Sequence, residues 1–261
     1  MNLQSACVLA NQSSRTHQSV RFARSAASPA VSDRGSPSPG FVIGRAQVTN
    51  RDPFKYWPNY YPFNPPWHHD FPDADDLLTN LLDELTGTQI GHEKFEVVRL
   101  DSDDVFKYPF LYMSEPGFWF LTPKEISNLG EYIRRGGFIL CDDFRTGRFF
   151  QPPDVEEIEV LRRYLKLAVP ERELVKLDAR HPIFHTMFDV NDLNMETPYP
   201  IPGNPEFWGL MDEKGELQLI AGYNNDLGDY WKFLDEGDKP LKDSSKAVRL
   251  GMNFVVYALS H

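Results

Sequence analysis

The sequence predicts an α/β fold built on an open, mostly parallel sheet with helices on both faces. Two segments carry this prediction. Residues 136–143 begin with a double glycine, continue as a short apolar strand and end in two carboxylates. Residues 246–260 form an apolar helical pattern that includes Gly251 and Asn253. Elsewhere, strand-length apolar runs alternate with helical patterns, which is typical of parallel strands joined by right-handed crossovers.

The length and composition favour one globular domain. A chain of 261 residues with 41% apolar residues can bury one substantial core, and we expect a single α/β domain over residues 41–261. Residues 1–40 are rich in Ser, Pro and Arg and cannot bury enough apolar surface to offset the entropy of ordering, which predicts a disordered tail. This segment is also loosely similar to an organellar transit peptide and lacks the apolar part of a secretory signal, so the compartment stays open.

The charge balance limits the classes of partner. The chain has 27 Lys and Arg against 38 Asp and Glu. An acidic surface repels phosphates, which argues against nucleic acid and anionic membranes as partners. No run approaches the roughly 18 apolar residues of a membrane helix, so we expect no direct membrane insertion. A small polar ligand or a protein partner is the remaining expectation, and the oligomeric state is not defined by the sequence.

The amino-terminal elements follow from local signals. Residues 41–48 alternate as a strand. The segment 51–72 is too rich in prolines for regular structure and too rich in aromatic residues for disorder, which predicts an ordered loop. Asp73 begins a helix with one leucine stripe, ending near Gly87. Two further strands are expected at residues 96–100 and 108–113.

The carboxyl-terminal elements begin with the best helix signal in the chain. Thr122 and Glu125 can form a capping box, and Pro123 suits the first helical turn. A double glycine ends this helix and leads into the strand 138–141, whose continuous apolar run indicates burial on both faces. The remaining predicted elements are a helix over 155–167, strands at 173–177 and 218–223, and a final helix over 248–259.

The first candidate site lies at the end of the central strand, because ligands of open parallel sheets bind beyond the carboxyl ends of strands. Asp142 and Asp143 follow Cys141 at such an end, with Phe144 beside them. Adjacent carboxylates can bind a cation, orient a histidine or bind a polyol; alternatively, one caps a turn and the other is solvated. We expect both to line a pocket together with the aromatic loop 57–72.

Cys141 itself is a poor nucleophile in this setting. A nucleophile elbow needs small flanking residues on a sharp turn, whereas Leu140 and Asp142 flank this cysteine. Acidic neighbours also raise the pKa of a thiol. The second cysteine, Cys7, lies in the tail, so the pair indicates neither a disulfide framework nor a zinc site.

Histidines cluster in His68-His69-Asp70 and in His181-Pro-Ile-Phe-His185. A histidine pair with carboxylates is the composition of a zinc, iron or manganese site. Pro182 interrupts the helical spacing, however, and the ligands would have to meet from three distant segments. We therefore predict no metal and no cofactor, and retain His69, Asp70 and His181 as ligand-binding candidates.

Three polar residues follow the last predicted strand: Asn224, Asn225 and Asp226. These residue types favour a turn, which is the preferred interpretation. They also supply the amide and carboxylate contacts that sugars use, with Tyr230 and Trp231 as stacking faces, so they stay candidates for ligand binding.

Six stretches occur in order over about residues 41–261: His69-Asp-Phe-Pro-Asp-Ala74, Phe106-Lys-Tyr-Pro-Phe-Leu-Tyr-Met113, Arg135-Gly-Gly-Phe-Ile-Leu-Cys-Asp-Asp-Phe144, His181-Pro-Ile-Phe-His185, Tyr223-Asn-Asn-Asp-Leu-Gly228 and Arg249-Leu-Gly-Met-Asn-Phe-Val-Val-Tyr-Ala-Leu259. Together they resemble the family of domains of unknown function numbered 4159 (DUF4159). Members of that family often look exported or membrane-associated, which this amino terminus neither matches nor excludes.

The double glycine, the His-Pro-Ile turn and the Asn of the final helix are more distantly similar to trehalose-utilisation (ThuA-like) proteins. Those share the class I glutamine-amidotransferase-like fold, which implies a flavodoxin-like sheet. Amidotransferase chemistry is not implied, because the Cys-His-Glu arrangement of that superfamily is absent.

Two functions from different classes fit these residues. The first is a non-catalytic binding or assembly module with a polar pocket at strand carboxyl ends, which explains the missing nucleophile. The second is a hydrolase or isomerase acting on a sugar-like small molecule with Asp142, Asp143 and His181. Whether His69, Asp143 and His181 converge is the observation that bears most on this choice.

Overall fold

The computed structural model describes residues 40–51, 65–146, 156–197, 203–237 and 239–261. Residues 1–39 of the expected disordered tail, and residues 52–64 of the aromatic loop, lie outside these ranges. The strands are β1 (Phe41–Gln47), β2 (Ile90–Arg99), β3 (Phe110–Ser114), β4 (Phe138–Phe144), β5 (Leu174–Lys176), β6 (Glu206–Met211) and β7 (Leu217–Tyr223). The helices are α1 (Asp73–Leu85), α2 (Pro123–Arg134), α3 (Glu157–Ala168), α4 (Leu227–Lys232) and α5 (Leu241–Ser260).

Over the described ranges, these strands form one seven-stranded sheet in the order β2-β1-β3-β4-β7-β6-β5. The five strands from β2 to β7 in this order run parallel. β6 is antiparallel to β7, and β5 is antiparallel to β6. The predicted open, mostly parallel α/β sheet is therefore confirmed, and its parallel part has the strand order of flavodoxin-like folds. That order reverses between β1 and β3, which makes their carboxyl ends the switch point of the sheet.

Helices cover both faces, because both faces of the central strands are apolar. On one face, α2 and α3 bury residues such as Leu129, Ile133, Leu161 and Leu165 against the sheet. On the other face, α1, α4 and α5 bury residues such as Leu78, Leu82, Trp231, Leu250 and Phe254. No helix in the described part of the chain has the length and apolar character needed to cross a membrane.

The start of α2 confirms the predicted capping box. The backbone N–H of Glu125 donates to Thr122 Oγ1 at 3.3 Å, and Glu125 Oε2 accepts from the N–H of Thr122 at 2.7 Å. The second oxygen of Glu125 accepts from the N–H of Thr49 at 2.7 Å. The cap therefore also fixes the chain where it leaves β1.

A β-bulge interrupts β4 at its carboxyl end. Cys141 pairs with Ala221 and Phe144 pairs with Tyr223, so β4 has one residue more than β7 over this interval. Asp143 lies in the interval with a left-handed φ of 56°. Bulges of this kind redirect side chains and are frequent beside functional sites.

Several predicted elements needed correction. The turn expected after β7 is followed directly by helix α4, which Asp226 caps through a 2.9 Å hydrogen bond from the N–H of Asp229. β6 was not predicted at all, and β2 begins at Ile90 rather than at residue 96. Helix α5 begins at Leu241, seven residues earlier than expected. Short or half-exposed elements such as α4 and the first part of β2 carry too few apolar residues to show a period.

Candidate metal centre

A polar cluster lies at the carboxyl edge of the sheet, beside the switch point. Four connections contribute to it. The loop after β1 carries His69 and Asp70, Glu115 follows β3, Asp143 is the last residue but one of β4, and Asp226 follows β7. Because parallel strands end at the same edge, the topology alone brings these four segments together.

Four of these side chains have the geometry of a metal-ligand set. His69, Asp70, Asp143 and Asp226 each offer one ligand atom, and these atoms all lie within 4.8 Å of one another. Ligand atoms that share one ion at about 2.0–2.2 Å are at most about 4.4 Å apart, so contraction by a few tenths of an ångström would bring them to one ion. We name these four residues the carboxyl-edge cluster.

His69 stands among three carboxylates. Its Nδ1 hydrogen-bonds Asp143 Oδ2 and lies 3.7 Å from Asp70 Oδ2 and 3.5 Å from Glu115 Oε1. The His69 side chain is 10% exposed, and the three carboxylate side chains are 1% exposed. Negative charge is thus concentrated where water screens it little.

The backbone of this edge is held in an uncommon conformation. Among the described residues, a positive φ outside glycine occurs at Asp70, Glu115, Asp143 and Asn224, with values of 59°, 48°, 56° and 55°. The left-handed region costs a non-glycine residue of the order of 1 kcal/mol. Three of the four residues place their carboxylates around His69, so the strain coincides with the cluster.

Nearby cations neutralise only part of this charge. Arg145 Nη2 lies 2.6 Å from Asp143 Oδ1, and Lys232 Nζ lies 3.3 Å from Asp70 Oδ1. Asp226 Oδ1 caps α4. The Oδ2 atoms of Asp226 and Asp70 are both buried and accept no hydrogen bond within the described residues.

The pKa values of the cluster show how it tolerates this charge. Burial lowers the pKa of His69, but the charges of Asp143 and Asp70 outweigh burial and raise that pKa to about 10. Burial, followed by the charges of Asp143 and Asp70, raises the pKa of Asp226 well above its ordinary value. At neutral pH His69 therefore carries a proton, and a metal ion bound at its Nδ1 would have to displace it.

Asp142 lies beside the cluster but has a different environment from Asp143. Its Oδ2 accepts from the N–H of Gly228 at 2.9 Å and from the hydroxyl of Tyr112 at 3.3 Å. Burial is the main reason that its pKa is raised to about 7, and the charge of Asp143 adds to it. Asp142 thereby connects β4 to the start of α4 and to β3. It is not one of the four residues of the carboxyl-edge cluster.

The structure brings His69, Asp70, Asp143 and Asp226 together. Other candidates from the sequence make packing contacts or hydrogen bonds within the domain. Phe144 is fully buried and packs on Tyr223 with ring centroids 5.2 Å apart. Asn225 Oδ1 accepts from the N–H of Asp226 at 2.9 Å. Asn224 Oδ1 accepts from the backbone N–H of Thr146.

The stacking role considered for Tyr230 and Trp231 is wrong. Both side chains are fully buried, and the indole N–H of Trp231 donates to the carbonyl oxygen of Ala247 at 3.0 Å. They face the core because α4 turns them towards α5. They therefore offer no face to a sugar.

His181 does not join the cluster. It follows β5, which lies three strand positions, about 14 Å, from β4. Its Nδ1 accepts from the N–H of Ile183 at 3.3 Å, and its ring packs on Phe184. His181 is not in the group of converging ligand atoms, where it had been expected beside Asp142 and Asp143. It caps a 3-10 turn whose Phe184 packs on Phe207 of β6 and Phe254 of α5.

Cys141 has no catalytic environment. It is fully buried in β4, and burial, with a contribution from Asp142, raises its thiol pKa. A neutral, inaccessible thiol agrees with the low nucleophilicity inferred from its neighbours.

Sequence reasoning missed Glu115, Arg145 and Lys232. Glu115 carried the same signal as Asp143, namely an acid directly after a predicted strand. Arg145 and Lys232 carried none, because surface cations are common and only the folded chain brings them to Asp143 and Asp70. The prediction of no metal was argued from residues 68–70, 142–143 and 181–185 and left out Asp226, which offers the fourth atom of the converging group.

The comparisons with known proteins identify the family. Residues 56–259 match the family model described as Domain of unknown function (DUF4159), and the chain belongs to this family. A search of curated protein sequences found no match. The matched range includes all four residues of the carboxyl-edge cluster.

Proposed function

We propose that this α/β domain is a binding module that holds one divalent metal ion in the carboxyl-edge cluster and, through it, a small polar ligand. The observation that carries the proposal is the convergence of His69, Asp70, Asp143 and Asp226, whose ligand atoms lie within 4.8 Å of one another. These residues come from three separate connections, so no single local turn accounts for their meeting.

A second observation is independent of the first. Asp226 is fully buried, and its Oδ2 has no hydrogen-bond partner within the described residues. An unsatisfied buried carboxylate oxygen costs about 1–3 kcal/mol or more. A cation bound among the four side chains would satisfy this oxygen.

The donor set favours particular metals. One imidazole nitrogen with carboxylate oxygens suits Mn²⁺, Fe²⁺ or Zn²⁺, whereas Mg²⁺ and Ca²⁺ prefer oxygen ligands alone. Arg145 and Lys232 border the cluster through Asp143 and Asp70. Their positive charge suits a ligand that brings an oxygen of its own to the ion.

The second candidate is a metal-dependent hydrolase acting on a sugar-like molecule. Glu115 favours it, because Glu115 Oε1 lies 3.5 Å from His69 Nδ1, beside the four residues that would hold the ion, and would serve there as a general base. Asp143 and His69 would be ligands in this mechanism, and His181 would take no part. Hydrolysis of sugar esters or glycosides that depends on added Mn²⁺ and is lost in Glu115→Gln would favour this candidate.

The more distant resemblance to ThuA-like and class I glutamine-amidotransferase-like proteins stays part of the proposal. Its support is the strand order β2-β1-β3-β4-β7, which follows the flavodoxin-like pattern. Glu115 follows β3 directly and has a left-handed backbone conformation, as in a sharp turn at the end of a strand. In this chain an acid, Glu115, occupies that turn.

Metal binding to the full chain tests the proposal directly. Protein stripped with a chelating resin is titrated calorimetrically with Mn²⁺ and Zn²⁺, and we expect one ion per chain. Asp226→Asn and His69→Gln each remove one ligand and should weaken binding at least tenfold, about 1.4 kcal/mol. Asp243→Asn is the matched control, because Asp243 is also buried but belongs to α5 outside the cluster.

Two results would overturn the proposal. One is the lack of saturable binding by either ion up to about a thousandfold excess over protein. The other is an equal loss of affinity in the control variant and in Asp226→Asn, which would trace the effect to general destabilisation. Circular dichroism of each variant establishes that it is folded before it is titrated.

A further inference from the structure

We propose a second binding site, for a small oxyanion, in a groove between helix α5 and the loop 189–192. The groove has a volume of about 430 Å³, and its lining includes Lys242, Ser245, Lys246 and Arg249. None of its lining residues belongs to the carboxyl-edge cluster. We name it the α5 groove.

The cations of the groove form one stripe on the helix. Lys242, Lys246 and Arg249 are spaced by four and three residues, which places them on the same side of α5. Three positive charges side by side are unusual in a chain of formal net charge −11. Such a stripe repels itself unless negative groups lie against it.

The acids of the groove do not neutralise the whole stripe. Asp192 Oδ2 lies 3.1 Å from Lys246 Nζ, which also donates to the carbonyl oxygen of Asn194. Asp189 also lines the groove, and its Oδ1 lies 3.0 Å from His185 Nδ1. Both acids of the groove thus already have partners.

Lys242 and Arg249 are the two cations of the stripe that have no acidic partner within the described residues. Within the described residues neither makes an ion pair, and the Nε of Arg249 is buried without a hydrogen-bond acceptor. A buried guanidinium N–H without an acceptor is costly. An anion in the groove would neutralise the positive charges of the two unpaired side chains.

The wall opposite the helix is fixed in place. Asn253 of α5 accepts from the N–H groups of Met187 and Phe188 at 2.9 and 2.8 Å, and its Nδ2 donates to the carbonyl oxygen of Phe188 at 2.8 Å. These bonds anchor the start of the loop to α5. The groove is therefore formed before any ligand arrives, which lowers the entropic cost of binding.

The donors define the class of ligand. Arg249 presents a planar fork, Lys242 a point charge and Ser245 a hydroxyl, a combination that suits the oxygens of a phosphate or carboxylate group. The volume is within the usual range for sites of small molecules. We therefore assign to the groove a small metabolite with a phosphate ester or carboxylate, bound with millimolar affinity because the groove is open to solvent.

Titration of the full chain with anions tests this site. Metal is first removed with a chelating resin, and binding of inorganic phosphate and of citrate is measured by calorimetry at low ionic strength and pH 7. We expect one saturable site, and the tighter of the two probes identifies the preferred oxyanion. Arg249→Gln and Lys242→Gln should each raise Kd about tenfold, and added salt should weaken binding.

Two control variants show whether the loss of affinity is specific to the α5 groove. Lys214→Gln is the matched variant, since Lys214 is exposed on the turn between β6 and β7, and it should leave Kd unchanged. Asp226→Asn should also leave it unchanged, so failure of the metal proposal would not affect this one. Binding that survives Arg249→Gln, or no saturable binding of either anion up to about 20 mM, contradicts the assignment.

Discussion

The buried guanidinium of Arg45 in β1 donates a hydrogen bond to the backbone carbonyl oxygen of His69, the histidine of the carboxyl-edge cluster. Its Nε donates to the carbonyl oxygen of Trp67 at 3.2 Å, and its Nη1 lies 3.4 Å from Asp75 Oδ2 in α1. The guanidinium also lies 4.1 Å from the ring centroid of Tyr112. One buried cation therefore ties β1, β3 and α1 to the loop that carries His69 and Asp70.

Replacement of Arg45 should affect both stability and metal binding. Arg45→Met leaves Asp75 as a buried carboxylate without its partner, and loss of one partner of a buried ion pair costs about 3–5 kcal/mol. We expect this loss in the free energy of unfolding, measured in urea, together with weaker Mn²⁺ binding. Arg99→Met is the control, because Arg99 forms an exposed pair with Asp101 and should change stability by less than about 1 kcal/mol.

The double variant Arg45→Met/Asp75→Asn separates the two effects. Removal of the unpaired carboxylate should recover part of the stability, since burial already raises the pKa of Asp75 to about 6. Metal affinity should stay low, because the hydrogen bonds to the His69 loop are still missing. Full recovery of metal affinity in the double variant would show that Arg45 does not position this loop.

Removal of the Asp226 charge should stabilise the metal-free fold, although the proposed metal site needs that charge. Asp226→Asn keeps an acceptor for the N–H of Asp229 and removes a carboxylate that Asp143 and Asp70 disfavour. In metal-free protein at pH 8 we expect the free energy of unfolding to rise by roughly 1–3 kcal/mol. Metal-dependent stabilisation should disappear in the same variant.

Thermal melts with and without Mn²⁺ measure both effects in one experiment. The wild-type melting temperature should rise with the ion, whereas the Asp226→Asn value should start higher and stay constant. Asp243→Asn serves again as the buried control. A lower melting temperature for metal-free Asp226→Asn would mean that Asp226 stabilises the fold rather than a ligand.

The fold was largely predictable because the strongest local signals agree with the final packing. The capping box of Thr122 and Glu125 and the apolar run 138–141 each have one stable solution in an α/β sheet. Helix α4 was missed because six residues are too few to show a helical period. β6 was missed because its antiparallel pairing depends on β7 and not on its own sequence.

The site was predictable only in part. The carboxyl-edge rule selects Asp143 and the segment after β7, and it would also have selected Glu115 after β3. The bulge that turns Asp143 towards His69 depends on the register between β4 and β7, which no local pattern encodes. His181 was grouped with these residues by residue type alone. It follows β5, which lies three strands from β4, so the sheet does not bring it to the carboxyl-edge cluster.

Cys141 should resist alkylation in the folded protein. The side chain is fully buried, and burial raises the pKa of its thiol. With Cys7, which lies outside the described residues, changed to Ser, we expect iodoacetamide at pH 7.5 to label the native chain only as fast as it unfolds. Mass spectrometry follows the reaction, and the same protein in urea should label at the rate of a free cysteine. Fast labelling of the native chain would place Cys141 at an accessible site.

Glu157 should make the protein less stable as the pH rises towards neutrality. It is 1% exposed at the start of α3, where its Oε2 accepts from the N–H of Arg145 at 2.8 Å. Burial raises its pKa from 4.5 to about 7, although the charge of Arg145 opposes the shift. Between these two pH values the folded chain holds a proton that the unfolded chain has released. The contribution of Glu157 is therefore fully present below pH 4.5 and is lost as the pH rises through about 7.

Glu157→Gln isolates this contribution. The variant cannot ionise, so its stability relative to the wild type should rise by roughly 3 kcal/mol between about pH 4.5 and 8 and then stay constant. Urea unfolding at pH 5, 6, 7 and 8 gives this difference directly, and Glu159→Gln, an exposed position on the same helix, should show no such trend. Burial also raises the pKa of Asp142 to about 7. Its contribution to the pH dependence of stability is similar in both proteins and cancels in the comparison. A difference that does not change with pH would mean that Glu157 is ionised in the folded chain throughout this range.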